Sequence, residues 1–331
     1  MKDRILLTGA DGFIGSHLLE LLVKKNYKVK ALCLYNSFNN WGWLEEVDKK
    51  VLKEVEIISG DIRDKEFILN NTKNINKIIN LAALIAIPYS YEAVDSFIQT
   101  NIVGVNNILS AALKNNCKVV HTSTSEVYGD PEKFPIKEND KVFAKSPYSA
   151  TKIAGDQLCH AYHRTFGLPI TLLRPFNTFG PRQSLRAIIP TIITQALSNN
   201  GKIKLGNIYP KRNFNYIKDI TNGFEKSLNT VFNGELINLG GSFEISIEDL
   251  VKLISKLMNK KIEVVLDKVR HRPKPGEVNR LVSSKVKSHK ILNWKPKYDK
   301  KIMFEKALLE TIDWYRRNID IYKLKSKIYT K

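Results

Sequence analysis

The chain has 331 residues, of which 43% are apolar, and its formal net charge is +20. This length predicts a buried core and about two domains, and no apolar run reaches the roughly 18–20 residues of a membrane span. The basic residues are spread along the whole chain, so we expect no nucleic-acid partner. Because the first apolar run, Ile5–Leu7, is short and meets glycines, we expect no signal peptide and a cytoplasmic location.

The first half of the chain alternates short apolar strands with amphipathic helices. We predict strands at Ile5–Thr8, Val29–Leu34, Val55–Ser59, Lys77–Leu81, Val119–Thr122 and Ile170–Leu173. The main helices are predicted at Phe13–Lys25, Val94–Lys114 and Pro147–Phe166. Such alternation gives right-handed crossovers and a sheet that is covered on both faces. The predicted fold class is therefore α/β, a doubly wound parallel sheet of the Rossmann type.

The pattern changes after Arg174, where prolines cluster and strands become short. A capping box at Ser246–Asp249 predicts the start of a helix over Ile247–Met258, and residues 270–277 are predicted to form a loop. We expect residues 1–175 to form the dinucleotide-binding domain, with a returning segment near 214–240. Residues 176–331 would then form a smaller substrate-binding domain. The three cysteines and six histidines lack metal-ligand spacing, so no metal site is expected.

The first strand runs into a glycine-rich turn, TGADGFIG, at residues 8–15. Gly9 permits the sharp turn, Gly12 lets the backbone approach a pyrophosphate, and Gly15 lets the following helix pack on the sheet. The start of that helix offers N–H groups and a partial positive charge to phosphate. The turn therefore predicts a dinucleotide site, with Asp11, Phe13 and Ile14 among its contacts.

The acidic residue that usually binds the adenosine ribose is missing at the end of the second strand. Asn36 is a candidate for that contact, and Asp61 and Ile62, after the third strand, are placed to meet the adenine. This stretch leaves NAD and NADP both open. Because it contains no arginine either, NAD is the favoured cofactor.

Tyr148 and Lys152 are four residues apart on a predicted helix and therefore share one face. A phenol is a poor base at neutral pH, but a nearby cation favours the phenolate. Tyr148 can then take a proton from a sugar hydroxyl while hydride leaves for a nicotinamide. Thr124, at the end of the fifth strand, adds a hydroxyl to this predicted catalytic group.

These motifs resemble the extended short-chain dehydrogenase/reductase superfamily of NAD-dependent epimerases and dehydratases. The resemblance covers nearly the whole chain and rests on TGADGFIG (8–15), GDIRD (60–64), NLAAL (80–84), STSEVYG (123–129), YSATK (148–152) and RPFNTFGP (174–181). It implies a homodimer that binds NAD tightly and acts on a nucleotide sugar. Further cofactor contacts are implied at Leu81, Ala82, Ala83 and Asn101.

Glu126 distinguishes the dehydratases from the epimerases of this superfamily. The 4,6-dehydratases have a glutamate at this position, and the pair Ser125-Glu126 resembles GDP-mannose dehydratases and, still more, the dehydratases of the legionaminic-acid pathway. The resemblance implies that Tyr148 assists oxidation at carbon 4, that Glu126 removes the carbon 5 proton as the carbon 6 hydroxyl leaves, and that hydride then returns to carbon 6. Ser125 is a weak acid, so Glu126 itself would pass the proton to the leaving hydroxyl. A role in cell-surface polysaccharide biosynthesis follows from the same resemblance.

The resemblance also implies substrate-binding residues, at positions that match substrate contacts of the superfamily. Asn177 matches the diphosphate contact, Arg212 and Arg280 match phosphate-binding arginines, and Arg186 is within reach of the sugar nucleotide. The resulting hypothesis is a 4,6-dehydratase acting on GDP- or UDP-N-acetylglucosamine. The alternatives are a nucleotide-sugar 4-epimerase and a non-catalytic protein that senses the dinucleotide.

Overall fold

Strands and helices alternate up to residue 175, and the computed structural model describes residues 3–199, 201–230, 232–267, 270 and 278–322. The strands are β1 (Arg4–Thr8), β2 (Lys28–Leu34), β3 (Val55–Gly60), β4 (Lys77–Asn80), β5 (Lys118–Thr122), β6 (Ile170–Pro175), β7 (Thr178–Phe179), β8 (Lys202–Leu205), β9 (Lys211–Arg212), β10 (Asn215–Tyr216), β11 (Glu235–Leu239), β12 (Ile245–Ser246), β13 (Glu263–Leu266) and β14 (Arg280–Leu281). The α-helices are α1 (Phe13–Lys24), α2 (Lys49–Leu52), α3 (Lys65–Asn71), α4 (Ile87–Ser90), α5 (Val94–Ile98), α6 (Gly104–Lys114), α7 (Pro147–Phe166), α8 (Ile188–Ser198), α9 (Ile217–Ser227), α10 (Ile247–Met258), α11 (Val286–Leu292), α12 (Lys301–Arg317) and α13 (Ile319–Tyr322). Two 3-10 turns lie at Gly42–Glu46 and Ser125–Tyr128, and a π-helical turn lies at Gln99–Val103.

Seven strands form the central sheet in the order β3-β2-β1-β4-β5-β6-β11. All neighbouring strands in it are parallel. The predicted fold class, a doubly wound parallel sheet, is confirmed. The strand order reverses between β1 and β4, and in such sheets ligands bind outside the carboxyl ends of the strands at this reversal.

Helices cover both faces of the sheet, which explains why the central strands read as continuous apolar runs. In β1, Ile5 and Leu7 pack in a cluster with residues of α1 and α9, while Leu6 packs in a second cluster with residues of α3 and α6. All three side chains are fully buried. The alternation of side chains along β1 therefore supplies two cores from one strand.

The helix predicted over Val94–Lys114 is not uniform. It consists of α5, the π-helical turn and α6. Asn101 lies in the π-helical turn, is 1% exposed, and donates to the side chain of Thr151 on α7 at 3.1 Å. Single π-helical turns are frequently found at functional sites, and this one places Asn101 toward the carboxyl ends of the strands.

The smaller part of the fold has short strands and its own core. It contains the pairs β7–β10 and β8–β13 and the three-stranded sheet β12-β9-β14. Its core lies around α8, α10 and α12 and includes Phe179, Ile192, Ile254, Phe304 and Leu308. As predicted, α10 begins after Ser246, whose hydroxyl accepts the Asp249 amide at 3.0 Å.

The chain returns to the large sheet near residue 216, where α9 packs on α1 and β11 pairs with β6. We keep the domain division at residue 175, with a returning segment near 214–240, as a proposal. Residues 271–277, most of the predicted loop, lie outside the described residues. Among the residues that the structure describes, no helix is long and apolar enough to cross a membrane.

Candidate functional site

The glycine turn between β1 and α1 needs its three glycines for different reasons. Gly9 has φ +65°, and a Cβ there would lie 2.9 Å from the amide nitrogen of Ala82. A Cβ on Gly15 would lie 2.1 Å from the carbonyl oxygen of Gly9, and one on Gly12 would lie 3.2 Å from the same oxygen. No side chain caps the start of α1, where Phe13 and Ile14 form the first turn. This narrow cradle of backbone fits a pyrophosphate at a helix amino terminus.

Asp11 joins the glycine turn to the end of β2. Its Oδ2 accepts a hydrogen bond from the Leu34 amide at 3.2 Å. Burial raises the pKa of Asp11, and the amides of Leu34 and Asp11 itself oppose the increase. Asn36, the predicted ribose contact, is occupied within its own loop, because its amide donates to the carbonyl oxygens of Leu34 and Asn40.

Asp61 and Ile62 follow β3, as predicted, but they have different environments. Asp61 is paired with Arg63, which donates through Nε and Nη2 at 2.9 and 2.5 Å. Burial raises the pKa of Asp61, but the Arg63 hydrogen bonds outweigh this and lower it. Ile62 is 4% exposed and packs against Gly104 at the start of α6. Their predicted contact with adenine stays a prediction.

The segment Leu81–Ala83 extends from the end of β4 beside the glycine turn. The Ala82 amide donates to the Thr8 hydroxyl at 3.1 Å, and that hydroxyl donates to Asn80 at 2.7 Å. Asn101 holds the next residue, Leu84, through both its backbone amide (3.0 Å) and its carbonyl oxygen (2.9 Å). Asn101 therefore acts here by fixing the 81–84 segment.

Thr124, Ser125 and Glu126 lie together just beyond β5. Thr124 caps the 3-10 turn Ser125–Tyr128 by accepting the Glu126 amide at 3.3 Å. Its side chain also hydrogen-bonds Tyr148 on α7. Ser125 is buried, whereas Glu126 is half-buried. The turn thus places a carboxylate near enough to the predicted catalytic phenol for its charge to act on it.

Tyr148 and Lys152 occupy one face of α7, as their spacing predicts. Tyr148 is 7% exposed and packs edge-on against Phe97 of α5, with ring centroids 6.2 Å apart. Lys152 is 4% exposed, and its Nζ donates to the carbonyl oxygen of Thr122 at 2.6 Å. Helix α5 therefore fixes the phenol, and the end of β5 fixes the ammonium.

The electrostatics of Tyr148 differ from the expectation that Lys152 makes it a ready base. Burial raises the pKa of Tyr148 above its usual value, the Thr124 hydrogen bond lowers it, and the charge of Glu126 raises it again. Burial also lowers the pKa of Lys152, which Asp156 opposes. In the protein alone, desolvation exceeds the help from the Thr124 hydrogen bond, so the activation of the phenol by Lys152 and a bound nicotinamide stays a prediction.

A buried polar network behind the site escaped the sequence analysis. Asp156 accepts hydrogen bonds at Oδ2 from Ser123 (2.8 Å) and from Arg174 Nη2 (2.7 Å). The guanidinium of Arg174 also stacks on the Tyr128 ring, 4.9 Å from its centroid, and the Tyr128 hydroxyl donates to Asn238 at 2.8 Å. The network holds both ends of the 123–128 segment. The available signal was the spacing of Asp156, four residues after Lys152.

His121 was also missed. It is 1% exposed, and its Nδ1 lies 3.3 Å from the side-chain Nδ2 of Asn80. Its pKa is lowered by burial and by the charge of Lys152. Burial and the charge of Lys152 therefore both disfavour the protonated form of His121. Because Asn80 also accepts from Thr8, the glycine turn and the end of β5 share one chain of hydrogen bonds.

The predicted substrate residues have unequal environments. The Asn177 Nδ2 is buried and has no hydrogen-bond partner among the described residues. Arg212 donates through Nη2 to the carbonyl oxygen of Val278 at 2.6 Å. Arg280 forms a two-pronged ion pair with Glu244, with both distances 2.8 Å. A further predicted contact, Arg186, is exposed just before α8. Arg212 and Arg280 lie on the neighbouring strands β9 and β14. The predicted substrate role of all three arginines stays a prediction.

Comparisons with known proteins show which family and fold the chain shares. The family model for GDP-mannose 4,6 dehydratase matches residues 6–307. A UDP-N-acetyl-alpha-D-glucosaminuronate decarboxylase from Bacillus cytotoxicus is 31% identical over 96% of this chain and 98% of its own length.

Two solved structures cover nearly the whole chain. The dTDP-glucose 4,6-dehydratase DesIV from Streptomyces venezuelae, with NAD bound, has a TM-score of 0.86 and 28% identity over 96% of this chain and 98% of its own. The UDP-glucuronic acid 4-epimerase from Bacillus cereus, with UDP-glucuronic acid and NAD, has a TM-score of 0.85 and 28% identity over 95% and 99%. Both dehydratases and epimerases therefore share this fold, and both of these structures contain NAD.

Proposed function

The chain belongs to the family described by the GDP-mannose 4,6-dehydratase model, and from this premise we propose that it is a nucleotide-sugar 4,6-dehydratase that uses NAD. The proposed substrate is GDP- or UDP-N-acetylglucosamine, and the product is the 4-keto-6-deoxy sugar. The choice of sugar rests on the sequence resemblance to dehydratases of the legionaminic-acid pathway. The homodimer is proposed from the resemblance to the extended short-chain dehydrogenase/reductase superfamily.

The observation that carries the proposal is the position of Glu126. Its carboxylate is close enough to Tyr148 for its charge to raise the pKa of the phenol, and Thr124 hydrogen-bonds both the Glu126 amide and the Tyr148 side chain. Oxidation at carbon 4 needs only the phenol. Elimination of water also needs a base for the carbon 5 proton, and a carboxylate beside the phenol can supply it.

The residues of the chain fit the cofactor. A backbone cradle that any Cβ at Gly9 or Gly15 would fill matches the pyrophosphate, and the 81–84 segment lies beside it. Bound NAD supplies the acceptor for hydride from carbon 4 and the donor that returns hydride to carbon 6. A positive nicotinamide ring would also offset the desolvation of the Tyr148 phenolate.

The protein side chains divide the proton transfers between them. Tyr148 takes the proton of the carbon 4 hydroxyl, while Thr124 and the ammonium of Lys152 stabilise the phenolate. Glu126 takes the carbon 5 proton, made acidic by the neighbouring ketone, and passes it to the hydroxyl that leaves carbon 6 as water. When hydride returns to carbon 6, Glu126 delivers a proton taken up from solvent to carbon 5, so that the proton count balances. Since the hydroxyl of Ser125 is a weak acid, these proton steps fall to Glu126.

The unpartnered amide of Asn177 supports a polar ligand on the side of the smaller domain. A buried N–H group without an acceptor is costly, so a diphosphate oxygen is a suitable partner. Arg212, Arg280 and Arg186 are retained as proposed substrate contacts. For Arg280 to bind phosphate, it would have to exchange Glu244 for the ligand.

Incubating the purified chain in deuterated water with GDP- and UDP-N-acetylglucosamine tests the proposal. Mass spectrometry should show loss of one water and incorporation of deuterium at carbon 5, because the proton that Glu126 returns to carbon 5 comes from solvent after the first one has left with the water. Glu126→Gln should abolish both signals. Glu132→Gln, which removes the same charge at an exposed position, should retain them. Unchanged or merely epimerised sugar with every nucleotide tested would refute the dehydratase.

A nucleotide-sugar 4-epimerase is the second candidate, favoured by the likeness to the Bacillus cereus epimerase. An epimerase needs Tyr148 and Lys152 but no base for carbon 5. Its activity should therefore survive Glu126→Gln and leave no deuterium at carbon 5. Dinucleotide binding without turnover of any nucleotide sugar would instead favour the sensing protein.

A further inference from the structure

The end of β2 is the part of the cofactor site where the chain departs from the usual pattern. Tyr35–Asn40, which follow the strand, contain no acidic residue. In dinucleotide-binding folds, a carboxylate at this strand end accepts a hydrogen bond from the ribose 2′-hydroxyl, the position that carries a phosphate in NADP. A negative charge there also repels that phosphate. If the chain binds the ribose and prefers NAD in the usual way, another group has to supply the carboxylate.

Asn36 is poorly suited to this role. Its amide nitrogen donates to the carbonyl oxygens of Leu34 (3.3 Å) and Asn40 (2.9 Å). Its side-chain oxygen accepts the amide of Phe38 at 3.1 Å. The carboxamide therefore holds the loop after β2 in shape, and it carries no charge to reject a phosphate.

Asp11 brings a carboxylate to the same strand end from the glycine turn. Ala10 continues the hydrogen bonding between β1 and β2 by donating to Leu32 at 3.2 Å, and Asp11 is the next residue. Its Oδ2 accepts the amide of Leu34, the last residue of β2, at 3.2 Å. The hydrogen bonds of the carboxylate come from backbone amides, of Leu34 and of Asp11 itself. Since a carboxylate has about four acceptor positions, it retains capacity for a hydroxyl.

The following loop fixes Asp11 from its other side. The Trp43 amide donates to the Asp11 carbonyl oxygen at 3.0 Å. Gly42 has φ +55°, and a Cβ there would lie 2.8 Å from the same oxygen. Only a glycine lets the loop approach so closely, so the backbone of Asp11 is held between two segments and its carboxylate has a defined position.

We propose that Asp11 replaces the missing acid of β2, binds the adenosine ribose and selects NAD over NADP. The inference rests on the proposed function only through the dinucleotide, and it requires no particular sugar. It also assigns a task to a residue within the glycine turn, whose usual contribution is backbone alone. The ribose then binds at the junction of the turn and the strand.

Calorimetry on the full chain, freed of bound nucleotide, tests the inference with NAD and NADP as separate ligands. The wild type should bind NAD more tightly. Asp11→Asn keeps the size and an acceptor for Leu34 but removes the charge, so the preference for NAD should fall by about 10- to 100-fold, as expected for a charge-assisted hydrogen bond. Glu45→Gln is the matched control, because Glu45 accepts a hydrogen bond from the Trp41 amide within the same loop and the substitution removes the same charge.

Asp11→Ser, which keeps a short acceptor, is the second variant if the first unfolds, as judged by thermal unfolding. A preference that collapses in either Asp11 variant and persists in Glu45→Gln supports the inference. Equal binding of both dinucleotides by the wild type, or an unchanged preference in the Asp11 variants, overturns it. Because no sugar is present, failure here is distinct from failure to release water from a nucleotide sugar.

Discussion

Replacing Asp156 by asparagine tests whether a buried ion pair holds the segment that carries Glu126. Asp156 and Arg174 are 1% and 5% exposed, and Arg174 donates to Asp156 Oδ2 through both Nη2 (2.7 Å) and Nε (3.2 Å). Asparagine keeps the size of the side chain but leaves the guanidinium buried without its counter-ion. Removing one partner of a buried pair costs about 3–5 kcal/mol, so the free energy of unfolding should fall by this amount.

Urea unfolding followed by tryptophan fluorescence measures the change, provided that the slope against urea is the same for both proteins. Asp313→Asn is the control, because Asp313 pairs with Arg316 at the surface, where the side chains are 55% and 52% exposed. Such a pair contributes below about 1 kcal/mol. If Asp156→Asn lost no more stability than this control, the charge of Arg174 would be balanced elsewhere and the account of the network would be refuted.

Two further predictions concern the cofactor and the phenol. Gly15→Ala should weaken NAD binding by about 1–3 kcal/mol in calorimetry, because its Cβ would lie 2.1 Å from the Gly9 carbonyl oxygen. The control is Gly167→Asn, at a left-handed helix end where a Cβ meets open space, and this variant should bind NAD normally. Normal binding by both variants would contradict the role given to the glycine turn. Burial raises the pKa of Tyr148 and Thr124 lowers it, so Thr124→Val should raise that pKa, move the rising limb of kcat/KM to higher pH and slow turnover at neutral pH by about fivefold. An unmoved limb in the pH profile would show that Thr124 does not reach the phenol during turnover.

The parts of the site that the sequence predicted are those with local requirements. The turn at residues 9–15 follows from three glycines between a strand and a helix, and each glycine meets a close backbone contact in the structure. Tyr148 and Lys152 share a face because four residues make about one helical turn. Nothing distant along the chain is needed for either inference.

The features of the site that the sequence did not predict depend on contacts between residues far apart in the chain. The π-helical turn interrupts an apolar pattern that continues through it, and Asn101 makes its contacts there with Leu84 and Thr151. The pairing of Arg280 with Glu244 likewise joins two segments that the pattern of apolar residues does not align. An arginine that matches a phosphate contact can therefore be engaged by a carboxylate of its own chain.

Helix α7 carries three ionisable side chains at equal intervals: a phenol at 148, an ammonium at 152 and a carboxylate at 156. Ser146 and Ser149 cap its start reciprocally, and Gly167, with φ +68°, ends it. Because α7 is one continuous helix, the position of one of these side chains along it cannot be changed without displacing the other two. If the proposed division at residue 175 holds, a new sugar or base is therefore more easily accommodated by altering segments beyond that residue, which leaves the three side chains of α7 in place.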